Sequence, residues 1–437
     1  MTDSPRPLAR DAAPALTGPP VRLLHTADWH LGKTLAKSKR RAEEHQKFLD
    51  WLALALAERE IDVLLVAGDI FDSAAPSAQS QELYFDFLEK ASQTRCQHVV
   101  VTSGNHDSSA LMRAPARILK RLNVHVSADA AESLDDEILA LNLDGRPGLV
   151  VAAAPFLRDR WVKAPEGDES LAARDLSLAR GTRERYLKMA ALARRRLEDL
   201  GDLSLPTVAM GHFFASGGTV SEGEEVRELY VGSLARVDVS AFASAFDYVA
   251  LGHLHNGQNV GSPFVRYAGS PLPMSFKEAG RPKSATLVTL GGGWRETAAL
   301  DIPVFQRLAR LRGDLATVAR ELAALRDQNS DAWVEIVCEG EPLLEDPRAR
   351  FEKIVAGGRV EILSVAQESP AALSFEGTDA KNDLQEFTEE EVFKALLRDR
   401  AVPESEWEEL VGVFREVLQE IRAEKAEAAP LLDPPRR

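Results

Sequence analysis

Five clusters of Asp, His, Asn and Gly in this sequence combine the residue types that bind metal ions. The clusters are Asp28-Trp29-His30, Gly68-Asp69-Ile70-Phe71-Asp72, Gly104-Asn105-His106-Asp107, Gly211-His212 and Gly252-His253-Leu254-His255. Carboxylate, imidazole and amide oxygen suit Mn²⁺, Fe²⁺ or Zn²⁺. Two such ions held about 4 Å apart can bind a phosphate and generate hydroxide at neutral pH. An isolated Asp or His at a loop tip is more often a cap or a solvated turn residue, but five clusters together favour a metal site.

Spacing within the clusters supports the same interpretation. Asp28 and His30 stand one residue apart, and so do His253 and His255. On an extended segment such residues point to the same side, so each pair can hold one ion. Glycines at positions 68, 104, 211 and 252 are expected to let the backbone turn tightly, so that the next side chain faces the site.

Each cluster follows a short apolar run of the kind that forms strands buried on both faces. The runs are Val21–Leu24, Val63–Val66, His98–Val101, Thr207–Met210 and Tyr248–Leu251. Helical patterns between the runs cover Ala42–Arg59, Ala78–Lys90 and Thr182–Leu200. This alternation predicts an α/β fold with helices on the sheet faces and a site beyond the carboxyl ends of the strands.

The pattern changes near residue 301, where a smaller domain is predicted. Its elements are a helix at Leu315–Arg326, a strand at Trp333–Val337, a helix at Pro347–Val355 and a strand at Val360–Val365, which end in a β-α-β unit. A polar linker follows, and then two amphipathic helices, Glu389–Arg398 and Glu404–Ala423. The predicted divisions are a leader at 1–20, a main domain at 21–300, a small domain at 301–367, a linker at 368–387, a helical segment at 388–425 and a tail at 426–437.

Composition limits the classes of function. The net charge of -15 over 437 residues argues against a protein that holds nucleic acid through a global basic surface. No apolar stretch reaches the roughly 18 residues of a membrane span, so a cytoplasmic location is expected. Cys96 and Cys338, the two cysteines, are predicted to be core residues. The basic stretch Lys33–Arg41 follows the first cluster and is a candidate for phosphate contacts, whereas Arg194–Arg196 is more typical of a solvated face.

The clusters together resemble the signature of the calcineurin-like metallophosphoesterases. The longer phrases His25–Gly32, Tyr248–His255 and Tyr267–Pro273 resemble the bacterial SbcD nucleases within that superfamily. The resemblance implies a layered metallophosphoesterase β-sandwich flanked by helices, with a small β-α-β capping domain and a C-terminal helical pair.

The resemblance also implies roles for matching residues. Asp28, His30, Asp69 and His255 would hold one ion, and Asp69, Asn105, His212 and His253 the other, with Asp69 bridging. His106 matches the catalytic histidine of the family. Asp107 is expected to orient His106 or its loop. Asp72 departs from some relatives, which carry histidine there, so a second histidine acting on the phosphate is in doubt.

The activity implied by the resemblance is metal-dependent hydrolysis of DNA phosphodiesters, with two divalent ions, expected to be Mn²⁺. It would be a 3'-to-5' exonuclease on double-stranded DNA and an endonuclease on single strands and hairpins, in repair, recombination and replication near the nucleoid. The implied assembly is a homodimer within a heterotetramer that contains an SbcC-like ATPase with a coiled coil, docked on the C-terminal helices. Helices at Ala42–Leu56 and Gln79–Leu88 are candidates for the dimer interface.

Other interpretations remain open. A stand-alone phosphatase or cyclic-nucleotide phosphodiesterase could share the metal centre, although neither requires the added small domain and helices. A metal-free scaffold could share the fold, although every ligand position carries a competent residue. The terminal helices could also pack on the body of this chain. No Walker A motif is present, so any dependence on ATP must come from a partner.

Overall fold

A computed structural model gives the fold. The described residues are 16, 18–36, 41–158, 171–219, 236–340, 346–368, 394, 397, 407, 408 and 410–415. Among them, no helix is both long enough and apolar enough to cross a membrane.

Two six-stranded mixed sheets form the body of the protein. The first sheet contains β1 (Val21–Thr26), β2 (Val63–Ala67), β3 (His98–Thr102), β4 (Val124–Ser127), β11 (Lys283–Gly291) and β12 (Trp294–Ile302) in the order β12-β11-β1-β2-β3-β4. The second contains β5 (Ile138–Leu143), β6 (Arg146–Ala153), β7 (Thr207–His212), β8 (Tyr248–Gly252), β9 (Gln258–Val260) and β10 (Ser262–Tyr267) in the order β5-β6-β7-β8-β10-β9. Four neighbouring strands in each sheet, β1 to β4 and β6-β7-β8-β10, are parallel.

The two sheets pack face to face. Successive side chains of a strand point to opposite sides, so each central strand contributes to two different clusters. Leu23 and Leu65 of the first sheet share a buried cluster with Val208 and Ala250 of the second. Leu24, the next residue along β1, instead joins the cluster beneath the helices of the first sheet. Both faces of the central strands are therefore buried, which explains their continuous apolar runs.

Helices cover the outer faces. Arg41–Glu58 and Ala78–Ser92 lie on the first sheet, and Leu171–Asp199 and Ser240–Ala243 on the second. Short helices at Ser109–Arg113 and Ala116–Leu119, with 3₁₀ turns at Lys120–Leu122, Leu134–Glu137 and Phe276–Glu278, complete this region. Ser77 caps Ala78–Ser92 by accepting a hydrogen bond from the amide of Ser80.

A small sheet follows in the order β13 (Leu308–Gly313), β14 (Trp333–Glu339) and β15 (Glu361–Glu368), with helices Leu315–Asp327 and Pro347–Val355. The chain divides into two compact units. The first comprises Met1–Leu311, Ala323–Glu335 and Val355–Ser364, and the second Arg312–Leu322, Ile336–Ile354 and Val365–Arg437. All strands of the two large sheets, and every predicted site residue, belong to the first unit.

The predicted fold class, a layered α/β sandwich flanked by helices, is confirmed. The helix predicted to begin at Thr182 begins instead at Leu171 and runs through Gly181, a residue that disfavours helix interiors. Cys96 and Cys338 are free and buried, as predicted. Most of the two predicted terminal helices lies outside the described residues, and the positions that are described there are helical. The predicted domain boundaries stay predictions.

The buried face of Leu171–Asp199 should dominate its contribution to stability. Leu197 is 2% exposed in the cluster against the second sheet, whereas Leu176 in the same helix is 73% exposed. We predict that Leu197→Ala lowers the free energy of unfolding by about 2–5 kcal/mol. The matched Leu176→Ala should change it by about 0.5 kcal/mol or less. Urea denaturation measures both, and equal effects would contradict this packing.

Candidate metal centre

The five clusters lie at the carboxyl ends of β1, β2, β3, β7 and β8, so their side chains meet at one edge of the sandwich. Gly211 and His212 are the last residues of β7 and Gly252 is the last of β8, whereas the other members lie on the loops that follow. All seven predicted metal ligands are buried, with exposed fractions of 7% or less. They are Asp28, His30, Asp69, Asn105, His212, His253 and His255. Loops after parallel strands of both sheets therefore converge on a single site.

The tight turns are made mainly by the predicted ligands rather than by the glycines beside them. Asp28, His30, Asp69 and His253 adopt φ values of 53°, 47°, 50° and 105°. Left-handed backbone of this kind is uncommon outside glycine and costs of order 1 kcal/mol or more per residue. Among the four glycines only Gly68 has a positive φ, at 86°. The expected turning role is therefore wrong for the other three.

Close approach explains the glycines instead. A Cβ atom on Gly252 would lie 1.9 Å from the carbonyl oxygen of Ala67, and one on Gly104 would lie 2.0 Å from Oδ1 of Asp69. Neither contact is compatible with a side chain. Gly252 therefore allows the ends of β8 and β2 in the two sheets to meet, and Gly104 allows the loops after β2 and β3 to meet within the first sheet.

One group of donors contains Asp28, His30 and His255. One ligand atom from each lies within 4.8 Å of the others. Nε2 of His30 is 3.2 Å from Nε2 of His255. Asp28 accepts a hydrogen bond from the amide of His253 through Oδ1, at 2.9 Å. Its buried Oδ2 has no hydrogen-bond partner among the described residues, which leaves a carboxylate oxygen available to a cation.

A second group surrounds Asn105. Its Oδ1 lies 3.0 Å from Nε2 of His212 and 3.1 Å from Nδ1 of His253. Oδ2 of Asp69 lies 3.2 Å from the same Nε2 of His212 and 3.7 Å from Nε2 of His30. Asp69 thus stands between the two groups, as expected of a bridging residue.

Without a cation, Nε2 of His212 lies close to two oxygen atoms and a neutral ring has no proton there to offer them. Its Nδ1 is 2.9 Å from the carbonyl oxygen of Ala67, to which it donates, so a neutral ring carries its proton there. Nε2 then points at two oxygen acceptors, on Asp69 and Asn105. Either a second proton or a metal ion must occupy that position.

The pKa values of Asp28, His212 and His253 reflect the burial of these ionisable groups close to one another. Burial raises the pKa of Asp28 to about 7. Burial alone would lower the pKa of His212, but the charge of Asp69 and the hydrogen bond to it raise it to about 9. Burial, followed by the charge of His212, lowers the pKa of His253 to about 3, so His253 is neutral and competent as a ligand.

The residues fit a pair of divalent ions. Ligands at right angles around an ion with bonds of about 2.1 Å lie about 3 Å apart. The donor pairs around His212, Asn105 and His253 have that spacing. The set contains imidazole, carboxylate and amide oxygen and includes no thiolate, which suits borderline or hard metals.

His106 differs from the other site residues because it is partly exposed. Its amide donates to Oδ1 of Asp69 at 2.9 Å, and its Nδ1 donates to the carbonyl oxygen of Asp72 at 2.9 Å. Its ring centre lies 4.9 Å from that of His30. A ligand atom of His106 also lies within 4.8 Å of those of His30 and Asp69, a capacity for metal binding that the sequence did not suggest.

Two acidic residues support the site. Asp107 accepts hydrogen bonds from the amides of Gly104, Phe71 and Ile70 at 2.8, 2.9 and 3.2 Å, so it ties the second and third loops together. Oδ1 of Asp72 lies 3.3 Å from Nδ1 of His30 and 3.3 Å from Nζ of Lys33. Sequence reasoning missed this contact to His30; the spacing of three residues after Asp69 was its only signal.

The basic stretches have different environments. Lys33 pairs with Asp72, and Arg41 is buried beside Glu44 at 3.2 Å, while residues 37–40 lie outside the described part of the chain. Arg194 pairs with Glu198 at 3.2 Å and Arg196 with Asp135 at 2.8 Å, which favours the solvated-face interpretation.

Comparison with known proteins gives consistent matches. Residues 21–257 match the calcineurin-like phosphoesterase family, and residues 304–401 match a family described as the type 5 capsule protein repressor C-terminal domain. The chain is 35% identical to the SbcD component of the SbcCD nuclease of Escherichia coli K12, over 92% of this chain and 99% of that protein. Proteins of the same name from Rhodobacter capsulatus and Bacillus subtilis are 36% and 30% identical, over 67% and 72% of this chain and 71% and 78% of theirs.

Asp28 should have opposite effects on stability with and without metal. Because burial raises its pKa to about 7, the metal-free fold loses stability as pH rises from the unfolded value near 4 through 7. We predict that Asp28→Asn stabilises the metal-free protein at pH 8 by up to about 4 kcal/mol, and that the gain shrinks toward pH 4. With Mn²⁺ the wild type should gain stability and the variant should gain less.

Thermal and urea unfolding with EDTA or Mn²⁺ test this prediction. Asp86→Asn, on the exposed face of Ala78–Ser92, is the matched control and should behave like wild type. A metal-free Asp28→Asn variant that is less stable than wild type at pH 8 would contradict the inference that the buried carboxylate of Asp28 destabilises the metal-free fold.

Proposed function

Because the chain belongs to the calcineurin-like phosphoesterases and, within them, to the SbcD nucleases, we propose that it hydrolyses DNA phosphodiesters at the centre described above. It is a nuclease subunit that acts through divalent metal ions. The observation that carries the proposal is the convergence of seven buried ligand-type side chains around one partly exposed histidine, His106.

We assign the ligands as the family pattern implies. Asp28, His30, Asp69 and His255 hold one ion, and Asp69, Asn105, His212 and His253 hold the other. The metals, which we expect to be Mn²⁺, would supply the Lewis acidity and activated water that hydrolysis requires. The group of Asp28, His30 and His255 and the contacts of Asn105 with His212 and His253 support this division. Ligand atoms of Asp28, Asp69 and His212 also lie within 4.8 Å of one another, so the two sets adjoin at Asp69.

His106 is assigned the catalytic role beside the ions. Its Nδ1 is engaged by the carbonyl oxygen of Asp72, which fixes the ring and leaves Nε2 for the substrate. When Nε2 carries a second proton, the imidazolium can hydrogen bond to the phosphate or donate that proton to the departing sugar oxygen. The residue is held at both its amide and its Nδ1, so little reorganisation is needed.

The finer activity is also part of the proposal: 3'-to-5' exonuclease on double-stranded DNA and endonuclease on single strands and hairpins, on nucleoid DNA. With a net charge of -15, the chain needs the metal ions, local basic groups or a partner to attract the DNA backbone. The name of the relatives implies an SbcC partner. The family resemblance implies that this partner is an ATPase. We propose that it docks on the helices in 388–425, beyond a main domain at 21–300, a capping domain at 301–367 and a linker at 368–387.

A homodimer within this complex would use the helices Arg41–Glu58 and Ala78–Ser92. Leu54 and Phe85 on these helices are 61% and 37% exposed, although large apolar side chains gain from burial. A two-fold interface presents each such side chain twice, so one pair of helices can form a four-helix contact.

The nuclease assignment predicts a specific defect for His106→Gln. The variant should retain two metal ions yet lose cleavage of hairpin-ended duplex DNA by about 10²-fold to 10⁴-fold, because a positioned acid is removed. His125→Gln is the matched control, since His125 lies on β4 and contacts His98 at 3.1 Å. Metal content and cleavage with Mn²⁺ are measured on both. Equal activity of His106→Gln and wild type would remove His106 from catalysis.

The same assay separates DNA cleavage from small-molecule hydrolysis. Wild type is tested on DNA and on bis-p-nitrophenyl phosphate, alone and with an SbcC-type partner and ATP. Turnover of only the small phosphodiester under every condition would overturn the DNA assignment in favour of a phosphodiesterase.

The proposed dimer predicts that Leu54→Glu combined with Phe85→Glu weakens self-association at least about 10-fold, because four like charges would be buried in a two-fold interface. Leu176→Glu, on a separate helix and 73% exposed, should leave association unchanged. Sedimentation velocity over a range of protein concentrations measures both. Unaltered association of the double variant would exclude these helices as the interface.

A further inference from the structure

The segment Tyr267–Pro273 stood out in the sequence, yet none of its residues is among the metal ligands. It begins at the end of β10, which pairs in parallel with β8. The loop after β10 therefore runs beside the loop that carries His253 and His255. The amide of Ser270 donates to the carbonyl oxygen of His255 at 3.0 Å, which joins the two loops.

The tyrosine at the start of the segment reaches the loop of a different histidine. Tyr267 is fully buried. Its hydroxyl donates to the carbonyl oxygen of Phe213 at 2.7 Å and accepts from the amide of Ala215 at 2.7 Å. Phe213 directly follows His212, so one phenol holds the chain where it leaves that ligand.

A lysine at the start of β11 holds the other loop. The ammonium of Lys283 has three protons, and three acceptors surround it. They are the carbonyl oxygen of His255 at 3.2 Å, the hydroxyl of Ser270 at 2.9 Å and Oε2 of Glu278 at 2.6 Å. The side chains of Lys283 and Glu278 are only 12% and 3% exposed, so solvent screens this ion pair weakly.

The backbone of the segment is shaped for this contact. Gly269 has φ 78°, and a Cβ atom there would lie 2.5 Å from the amide nitrogen of Gly257. Only glycine permits that approach of the two loops. The backbone of the segment is thus packed so closely against the His255 loop that a side chain at position 269 would collide with it.

We propose that Tyr267 and Lys283 are positioning residues of the metal centre: Tyr267 fixes His212 for one ion, and Lys283 fixes His255 for the other. The inference rests on the proposed function, because it concerns the ligands assigned there. Neither residue touches an ion or substrate. Each ties the main chain beside a ligand and so sets the direction of its imidazole. Outer contacts of this kind commonly change metal affinity by about 10-fold to 100-fold.

Two variants test the two contacts separately. Tyr267→Phe keeps the ring and removes both hydrogen bonds of the hydroxyl. Lys283→Met keeps the chain length and removes all three donors. Since Lys283→Met leaves Glu278 buried without its cation, Lys283→Met with Glu278→Met is made as well, which removes both charges. Mn²⁺ binding is followed by calorimetry and by electron paramagnetic resonance, on protein whose folding is checked by circular dichroism.

Each variant should lower the affinity for one Mn²⁺ ion by about 10-fold to 100-fold and leave the affinity for the other ion within about 3-fold of wild type. The affected ion is identified with the ligand variants His212→Gln and His255→Gln. Adding Tyr267→Phe to His212→Gln, or Lys283→Met to His255→Gln, should cause no further loss, because residues that act through one another are not additive. A second loss in those backgrounds would overturn the proposal.

Matched controls come from the same protein. Tyr84→Phe removes a buried hydroxyl that has no hydrogen-bond partner among the described residues, and Lys277→Met alters an exposed lysine close to Lys283 in the chain. Both should bind two ions like wild type. If wild type binds two ions and cuts DNA while Tyr267→Phe and the Lys283 variants match it, only this inference falls. If wild type binds no Mn²⁺, the proposed metal centre falls with it.

Discussion

The burial of ionisable groups close together, at the edge where two sheets meet, is the constraint on which the rest of the structure depends. Asp28 and Asp69 are both nearly inaccessible to solvent, and four histidines surround them. Burying unpaired charge is expensive, and His212 faces two oxygen atoms at once. The arrangement makes physical sense when cations complete it. The backbone strain at four ligands is a further cost that the same cations offset.

The rest of the fold keeps this edge in register. Helices cover both outer faces of the sandwich, and the inner faces bury apolar side chains from both sheets. The central strands can thus end at fixed positions, and the loops that follow them begin from a rigid base. Hydrogen bonds then fix the loops themselves: the carboxylate of Asp107 and the carbonyl oxygen of Asp72 accept them, and Tyr267 and Lys283 donate them.

The sequence indicated five strands that position the site because each is buried on both faces and is followed by a polar cluster. β6 is equally buried over Leu149–Ala153, but no such cluster follows it and it was not predicted. β1, β2, β3, β7 and β8 read as continuous apolar runs. β12 was not recognised because most of its residues are exposed, so it has no apolar run. Residue types and spacing identified the side chains that meet at the edge. They could not reveal the left-handed turns, which depend on contacts between loops far apart in sequence.

The division of ligands between the sheets has a mechanical consequence. Asp28, His30, Asp69 and Asn105 extend from the first sheet, whereas His212, His253 and His255 extend from the second. Each ion, as assigned, would be bound by residues from both sheets and so would cross-link the two sheets at the open edge of the sandwich. Depletion of metal would then remove this cross-link between the sheets as well as stop hydrolysis. The metal-free protein would therefore be less stable and more susceptible to proteolysis than the metal-bound protein.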